Sequence, residues 1–239
     1  MNKYKTLSIV IPVFNEERFI SQVIKDVSKA DSLRLQKEIV VVNDGSTDST
    51  LSKLKSLKKT YSSLKIIDLK QNSGKGSALK KGFQKSSGDI VLVQDADREY
   101  SPHDYPILLE PFFHHDADVV YGSRLVTGRP HRVLFFWHYK ANQFLTFLSN
   151  MFTGLNLTDM ETGFKVFKGK IIREIAPKLE SKYFGFEPEI TARISKRKGI
   201  KIFEVGISYS GRTYREGKKI GWKDGVLAIW EILKYNLFE

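Results

Sequence analysis

The sequence predicts an α/β fold with a mostly parallel central sheet and helices on its faces. Short apolar runs, rich in Ile and Val, alternate with segments whose apolar residues recur at helical spacing. Turn-forming or polar residues follow the runs at Pro12, Asp44 and Asp95. In open α/β sheets the ligand lies beyond the carboxyl ends of the strands, so these positions predict one binding edge.

The first part of the chain supplies most of the predicted strands and helices. The strands are predicted at residues 7–13, 38–42, 64–69 and 90–93. The helices between them are indicated by apolar residues at helical spacing, which are Phe19, Ile20, Val23, Ile24 and Val27, then Leu51, Leu54 and Leu57. Residues 43–50 are typical of a turn that leads into a helix, and residues 72–78 of a glycine-containing loop that does the same.

The run at residues 90–93 leads into two aspartates, Asp95 and Asp97, on either side of Ala96. On an extended segment, residues i and i+2 point the same way, so both carboxylates can face one ligand. Such a pair is repulsive unless a cation lies between the two groups, and hard oxygen ligands suit Mg²⁺ or Mn²⁺. The pair therefore predicts a divalent metal that bridges the protein and a nucleotide diphosphate. A surface turn is the alternative, because so short a motif also occurs by chance.

Two further loops each allow a functional and a structural interpretation. Asp44 can accept hydrogen bonds from a base or ribose, or it can cap the next helix, as Asp48 can. Lys75 lies between Gly74 and Gly76, so its side chain could reach phosphate while glycine lets the backbone approach the ligand. The spacing differs from that of a P-loop and does not predict an ATPase.

Composition indicates the class of protein and the kind of partner. The chain has 239 residues, 41% of them hydrophobic, which suits one large domain or a domain with an appendage. It has no cysteine, which excludes disulfides, thiolate metal sites and a thiol nucleophile. The net charge of +12 predicts an anionic partner: a phosphorylated substrate, an anionic lipid surface or a nucleic acid. Without a secretory signal or an apolar run of membrane-spanning length, we expect a soluble or peripheral protein.

The region at residues 132–153 is dense in aromatic residues and has basic residues around it. Its apolar residues at helical spacing are Phe144, Leu145, Leu148, Met151 and Phe152. Aromatic anchors near cations are typical of an amphipathic segment in a membrane interface. An apolar stripe taken alone more often faces a core, so both interpretations stand at this point.

The last third returns to a strand at residues 200–208 and closes with a helix at residues 221–237. Between them, residues 211–219 form a cationic loop that carries Arg212, Arg215, Lys218 and Lys219 among glycines. Such a loop is suited to closing over phosphates. A solvated run of charges is the alternative interpretation.

Short motifs in matching order and spacing resemble the nucleotide-sugar-binding half of family-2 glycosyltransferases, which have the GT-A fold. They are Val13-Phe14-Asn15-Glu16, Asn43-Asp44-Gly45-Ser46-Thr47-Asp48, Asn72-Ser73-Gly74-Lys75-Gly76 and Asp95-Ala96-Asp97. Segments 158–167, 184–190 and 211–222 resemble the branch that includes dolichol-phosphate mannosyltransferase and bacterial polyprenyl-phosphate sugar transferases. The resemblance covers essentially the whole chain. It implies one GT-A (Rossmann-like) domain at residues 1–239, with a nucleotide-sugar-binding half at 1–122 and an acceptor-binding half at 123–239 that contains the interfacial segment.

The resemblance also implies roles for single residues. The nucleotide sugar would contact Pro12, Phe14, Glu16, Asp44, Lys75, Gly76, Asp95, Ala96 and Asp97. The metal would be held by Asp95 and Asp97, with Glu99 at the position where the dolichol-phosphate enzymes have a glutamine ligand. The acceptor phosphate would contact Arg124, Arg132, Arg212, Lys218 and Lys219. The catalytic residues would be Asp95, Asp97, Arg212 and Lys218.

The activity implied by the resemblance is an inverting, metal-dependent transfer from a nucleotide diphosphate sugar, GDP-mannose or a UDP-sugar, to dolichyl or undecaprenyl phosphate. Mg²⁺ or Mn²⁺ is the expected cofactor, and the expected location is the cytoplasmic face of a membrane. One alternative is transfer to a saccharide or protein hydroxyl, with Glu161, Glu187 or Glu189 as general base. Another is a non-catalytic basic module that binds membrane or nucleic acid. No nucleic-acid-binding motif is visible, so nucleic acid is not expected as a partner.

Overall fold

The computed structural model describes residues 3–126, 128–133, 135–183, 185–213 and 222–238. Within these residues the chain forms one seven-stranded sheet flanked by α-helices. The strands are β1 Thr6–Val13, β2 Gln36–Asp44, β3 Leu64–Leu69, β4 Ile90–Val93, β5 Val119–Ser123, β6 Lys165–Lys168 and β7 Ile202–Gly206. The helices are α1 Ile20–Lys29, α2 Thr50–Thr60, α3 Lys75–Lys85, α4 Tyr105–His114, α5 Phe136–Thr153, α6 Gly169–Ile175, α7 Phe186–Ser195 and α8 Trp222–Leu233.

The sheet is mostly parallel, which confirms the predicted fold class. Its strand order is β3-β2-β1-β4-β6-β5-β7. β1 pairs in parallel with β2 and β4, β2 with β3, and β5 with β7. Only β6 runs antiparallel to its neighbours, β4 and β5. Parallel neighbours need long crossovers, and the first helices supply them, which explains the alternation in the sequence.

Alternate residues of each central strand enter separate apolar cores on opposite faces of the sheet. In β1, Ile9 packs in a cluster with Ile24 of α1. The next residue, Val10, packs on the other face in a cluster with Leu79 of α3. Because a shift of one residue would exchange the two sets, burial of both faces fixes the register. The carboxyl ends of β1, β2 and β4 are therefore held side by side.

Some element boundaries differ from those predicted. The strand predicted at residues 38–42 extends over Gln36–Asp44, because Gln36 still pairs with Thr6 and Asp44 with Leu69. The strand predicted at residues 200–208 covers Ile202–Gly206. The predicted closing helix is α8, which ends at Leu233 and is followed by a π-helical turn at Lys234–Phe238. Pairing with neighbouring strands decides where the strands end, and the local sequence pattern does not contain this information.

Helices α5 and α8 pack against each other and expose apolar side chains on their outer sides. Leu145 of α5 is buried, whereas Phe144 and Met151 are 54% and 63% exposed. The predicted apolar stripe is therefore divided between the core and the surface. We call the exposed set the aromatic surface, which consists of Val133, Phe135, Phe136, Trp137, Phe144, Phe147, Met151, Val226, Leu227 and Trp230. Across the described ranges, no helix combines the length and apolar character that a membrane crossing requires.

Candidate active site

One large cavity, of about 1410 Å³, opens at the carboxyl ends of β1, β2 and β4 and continues to α5 and α8. Most of the site residues predicted from the sequence line it: Pro12, Phe14, Glu16, Asp44, Lys75, Asp95, Ala96, Asp97, Glu99, Arg124, Arg132 and Arg212. Gly76 is buried and does not line it, and its N–H donates to the carbonyl oxygen of Lys182 at 2.9 Å. Lys218 and Lys219 lie outside the described residues, so their predicted role is not addressed by the geometry.

Arg212 lies at the centre of a group of carboxylates on the floor of the cavity. Its guanidinium is 3.1 Å from Asp97 Oδ2, 3.4 Å from Glu99 Oε1 and 3.6 Å from Glu16 Oε1. Burial and the negative charges of Asp95 and Glu99 raise the pKa of Asp97 to about 7, although Arg212 opposes the shift. The positive charge of Arg212 therefore does not fully offset the negative charge of the carboxylates around it.

A second cation, Lys75, lies at the start of α3 and joins the aspartate pair to α7. Its Nζ is 3.1 Å from Asp95 Oδ1 and 2.9 Å from Glu187 Oε1. Burial disfavours the charged amine, but Asp95 and Glu187 outweigh it and hold the pKa of Lys75 well above its ordinary value. Lys75 is therefore protonated and presents a positive charge to the cavity.

Asp44 shapes the loop that leads to Lys75. Its carboxylate accepts hydrogen bonds from the N–H groups of Ser73 and Gly74 at 2.9 and 2.8 Å. Gly74 has φ +92°, and a Cβ there would lie 2.1 Å from the carbonyl oxygen of Lys182, so only glycine fits. Asp44 thus stabilises the loop before α3, whereas Asp48 accepts from the N–H of Thr50 at 2.9 Å at the start of α2.

The arginines predicted to contact an acceptor phosphate line the cavity, and each is held by the protein. Arg124 donates from Nε and Nη2 to the two carboxylate oxygens of Asp159, both at 2.6 Å. Arg132 donates from Nη1 to the carbonyl oxygen of Gly211 at 2.9 Å. The Arg124–Asp159 pair gives the guanidinium a fixed orientation, since a bidentate pair restricts its geometry.

Several residues that position the site were not identified from the sequence. Tyr209 donates its hydroxyl hydrogen to Glu99 Oε2 at 2.6 Å, and its ring lies 5.2 Å from that of Tyr100. The hydroxyl of Tyr100 accepts from the N–H of Gly163 at 2.8 Å. A Cβ on Gly163 would lie 2.3 Å from Asp95 Oδ2, so this glycine lets the aspartate approach. Gly163 lies within a segment that carries the resemblance, but no local pattern marks Tyr100 or Tyr209.

The donor set fits a divalent cation. Asp95 and Asp97 offer hard carboxylate oxygens, and Mg²⁺ is commonly held by one or two carboxylates with substrate phosphates and water as its other ligands. No group of three or more His, Asp or Glu side chains arranged for a metal is found in the described part of the chain. Glu99 is engaged by Tyr209 and Arg212, so its role as a third ligand stays a prediction.

Comparison with known proteins adds independent information. A family model described as glycosyl transferase family 2 matches residues 8–176. The dolichyl-phosphate beta-glucosyltransferase of Dictyostelium discoideum is 30% identical over an alignment of 224 positions that covers 85% of this chain and 66% of that protein. The dodecaprenyl-phosphate galacturonate synthase of Rhizobium johnstonii is 26% identical over 214 residues, 89% of this chain and 61% of that protein. The chain thus spans less than two thirds of the length of either relative.

A solved structure supports the fold. The glucosyl-3-phosphoglycerate synthase of Mycobacterium tuberculosis, in complex with Mn²⁺, uridine diphosphate and phosphoglyceric acid, superposes with a TM-score of 0.73. The match covers 98% of this chain and 80% of that chain at 22% sequence identity. At this level of identity the likeness concerns the fold alone.

Proposed function

The chain belongs to glycosyl transferase family 2, and from this premise we propose that it transfers a sugar from a nucleotide diphosphate sugar to a polyprenyl phosphate. One observation carries the proposal: a single cavity joins buried carboxylates and cations at the sheet to apolar residues of α5 and α8. A donor with a diphosphate and an acceptor with both a phosphate and a lipid tail need these two environments next to each other. Relatives named for dolichyl and dodecaprenyl phosphate support this class of acceptor.

The donor would bind at the carboxyl ends of the parallel strands. Pro12, Phe14, Glu16 and Asp44 line this part of the cavity and would contact the nucleotide. The protonated amine of Lys75 would lie toward the diphosphate, with the start of α3 behind it. Gly76 would contribute only through the backbone turn that positions Lys75.

Asp95 and Asp97 would hold the divalent cation, Mg²⁺ or Mn²⁺. Bound there, the cation supplies positive charge that stabilises the leaving diphosphate. The Mycobacterium tuberculosis synthase with the same fold was solved with Mn²⁺ and uridine diphosphate. In this chain Arg212 contacts Asp97 as well, so it lies where it could bind a phosphate next to the cation.

The acceptor phosphate needs positive charge more than it needs a base. A phosphate monoester is an anion at neutral pH, and Arg124, Arg132 and Arg212 line the cavity beside the carboxylates. We propose that Lys218 and Lys219 complete this set. An acceptor phosphate oxygen forms a bond to the anomeric carbon while the bond from that carbon to the diphosphate oxygen breaks. The electron pair leaves with the nucleoside diphosphate, and attack from the opposite face inverts the anomeric configuration.

The aromatic surface would place the protein on a membrane. Its side chains are exposed next to the apolar end of the cavity, and Phe136 and Trp137 belong to both. Amphipathic helices with aromatic residues on one face bind at the lipid interface, and the net charge of +12 favours anionic lipids. We propose peripheral binding that brings the lipid-linked acceptor to the cavity, at the cytoplasmic face as the family resemblance implies.

The test is a transfer assay with a panel of radiolabelled UDP-sugars and GDP-mannose. Each donor is combined with a short polyprenyl phosphate and with Mn²⁺ or Mg²⁺, and label is counted in the organic phase. We expect label there for at least one donor, only when metal is present, and an inverted product by NMR. Label that stays in the aqueous phase with every donor, or a retained anomeric configuration, would contradict the proposal.

The competing acceptor is a saccharide hydroxyl, which requires a general base. Glu161 and Glu187 line the cavity, so the same assay should include short saccharides as acceptors. Glu189 is a poor candidate, because its buried carboxylate already accepts from the N–H groups of Glu180 and Ser181 and from Arg193 Nε. Saccharide products without organic-phase label would favour this second function.

A further inference from the structure

Two carboxylates in the cavity wall have hydrogen-bonding capacity that the described part of the chain does not use. Glu161 lies in the turn before β6, and Glu187 lies in the first turn of α7. Oε1 of Glu161 and Oε2 of Glu187 are buried and have no hydrogen-bond partner among the residues described. A buried polar atom without a partner costs free energy, and native proteins rarely leave one without a reason. Both residues line the cavity, so a bound ligand could supply the missing donors.

The protein fixes the backbone turn that carries Glu161 and one carboxylate oxygen of Glu187. The Nζ of Lys165 donates to the carbonyl oxygens of Met160 and Thr162, which fixes the turn that presents Glu161. The Nζ of Lys75 donates to Oε1 of Glu187 at 2.9 Å and leaves Oε2 available. The open oxygens therefore belong to residues of the cavity wall and not to exposed surface side chains.

The charges around the open oxygens favour a neutral ligand group. Lys75 pairs with Glu187, and Lys165 interacts electrostatically with Glu187 and Glu161, so a further cation is not required beside these two glutamates. Burial and the nearby Glu187 raise the pKa of Glu161 to about 8, so Glu161 can donate as well as accept near neutral pH. Alcohol hydroxyl groups are the neutral groups that both donate and accept.

The position of the two glutamates relative to the aspartate pair identifies the ligand. Lys75 contacts both Asp95 and Glu187, and Gly163, two residues after Glu161, packs against Asp95 Oδ2. In a nucleotide sugar the anomeric carbon is bonded to the terminal phosphate, so the sugar must lie directly beside the diphosphate. We propose that Glu161 and Glu187 form the subsite of the transferred sugar and bind its hydroxyl groups; this inference rests on the proposed function.

The test separates sugar recognition from nucleotide recognition. Calorimetry with MnCl₂ measures the affinities of UDP, UDP-glucose, GDP and GDP-mannose for the wild-type protein and for Glu161→Ala, Glu161→Gln, Glu187→Ala and Glu187→Gln. Loss of a buried carboxyl group that hydrogen-bonds the sugar should lower the ratio of nucleotide-sugar to nucleotide affinity roughly tenfold, while the affinity for the bare nucleotide changes less than about twofold. The glutamine variants should retain part of the ratio, because the amide oxygen still accepts.

A matched control is Glu174→Gln, which removes an exposed carboxylate on α6 that pairs with Arg197 at 2.7 Å, and it should change neither affinity. If the wild-type protein binds none of the probes, the proposed function fails and this subsite with it. If the wild type binds them and both alanine variants keep its affinity ratio, only the subsite is overturned. An unchanged ratio with a lower kcat in Glu161→Gln would identify Glu161 as a base and likewise overturn it.

Glu187→Ala removes a partner of Lys75 and could alter diphosphate binding through that contact. An equal loss of affinity for the nucleotide and the nucleotide sugar in this variant would assign Glu187 to positioning Lys75 and overturn its part in the subsite. If Glu187→Ala does not fold by circular dichroism, Glu161→Ala decides, since Oε1 of Glu161 has no hydrogen bond to lose among the described residues.

Discussion

The two ends of the cavity are constructed in opposite ways. At the sheet, charged side chains are buried and paired with each other, as Arg212 is with Asp97 and Lys75 with Asp95. At α5, the side chains are apolar and exposed, and Trp137 is 78% accessible. Burying charge and exposing large apolar groups both cost stability. Each end therefore holds groups that a folded protein would avoid if only its own stability mattered.

The two ends of the cavity also differ in how far apart their residues lie in the sequence. The charged end brings together loops that are distant in the chain, such as those of Asp97 and Arg212, which are separated by 115 positions. The aromatic end is mostly one continuous helix, with α8 beside it. A site assembled from distant loops depends on the register of the sheet, whereas a surface on one helix does not. Substitutions at the two ends should therefore affect different properties.

Asp97→Asn should give the largest effect. It keeps the shape of the side chain and removes a carboxylate proposed to hold the cation. We expect transfer to fall on the order of a hundredfold to a thousandfold, the scale of losing several kcal/mol of charge stabilisation in the transition state. Calorimetry should show that the nucleotide loses its metal-dependent binding.

The control for Asp97→Asn is Asp26→Asn, which removes a carboxylate 3.9 Å from Arg98 on the surface and should leave transfer unchanged. Circular dichroism checks that both variants fold. Metal-dependent nucleotide binding of wild-type strength in Asp97→Asn would show that this carboxylate does not hold the cation.

Arg212→Ala should rank second. Arg212 contacts Asp97, Glu99 and Glu16 and is proposed to bind a phosphate in the reaction. Removing one preorganised charge-stabilising donor costs roughly 2–4 kcal/mol of barrier, so kcat should fall on the order of a hundredfold or more. Arg212→Lys should recover little, because a single ammonium cannot reproduce the planar fork. A wild-type kcat for Arg212→Ala, measured by steady-state kinetics, would exclude this role.

The strands and the aspartate pair were predictable because their signals are local. Ile and Val runs mark strands whose two faces are both covered, and β3 and β4 have the predicted bounds, Leu64–Leu69 and Ile90–Val93. The spacing of Asp95 and Asp97 predicts that both can face one ligand, and both line the cavity, although the structure has a turn at residues 96–97 where an extended segment was predicted. The rule that ligands bind beyond the carboxyl ends of strands then places Pro12, Asp44 and Asp95 at one edge, and all line the cavity.

The pairings that position the site could not be predicted, because they join residues that meet only after the sheet has formed. Tyr209 and Glu99 are 110 positions apart, and Arg124 and Asp159 are 35 apart. The open oxygens of Glu161 and Glu187 could not be predicted either, because they too depend on which residues the fold brings together. Sequence patterns suggest that a glutamate could act as a base, but they do not show which of its oxygens the fold leaves without a partner.

Replacing Phe135, Phe136 and Trp137 together with serine tests the aromatic end. These side chains are 45%, 60% and 78% exposed, so the fold should remain intact by circular dichroism. Each aromatic group that enters the interface contributes roughly 1.5–3 kcal/mol, so binding to anionic liposomes should weaken at least about tenfold in flotation assays. Binding by the wild type should also fall with salt. Flotation unaffected by the substitutions would argue against membrane docking through α5.

The smallest effect on function is expected at Glu38 on β2, near the opposite edge of the sheet. Burial raises the pKa of Glu38, but hydrogen bonds from Lys65, Ser8 and Ser87 outweigh it and lower the pKa to about 2 from 4.5. A carboxylate whose pKa is lowered in the folded state stabilises the protein at pH values above the pKa of the unfolded state, and this contribution disappears as the pH falls toward 2.

Glu38→Gln should therefore lower the free energy of unfolding by about 1 kcal/mol at neutral pH, while the nucleotide affinity stays unchanged. Urea denaturation between neutral pH and the most acidic pH at which both proteins still fold should show this difference shrinking. A difference independent of pH would mean that shape, not charge, explains the contribution of Glu38, and a loss of nucleotide affinity would mean that the two edges of the sheet are coupled.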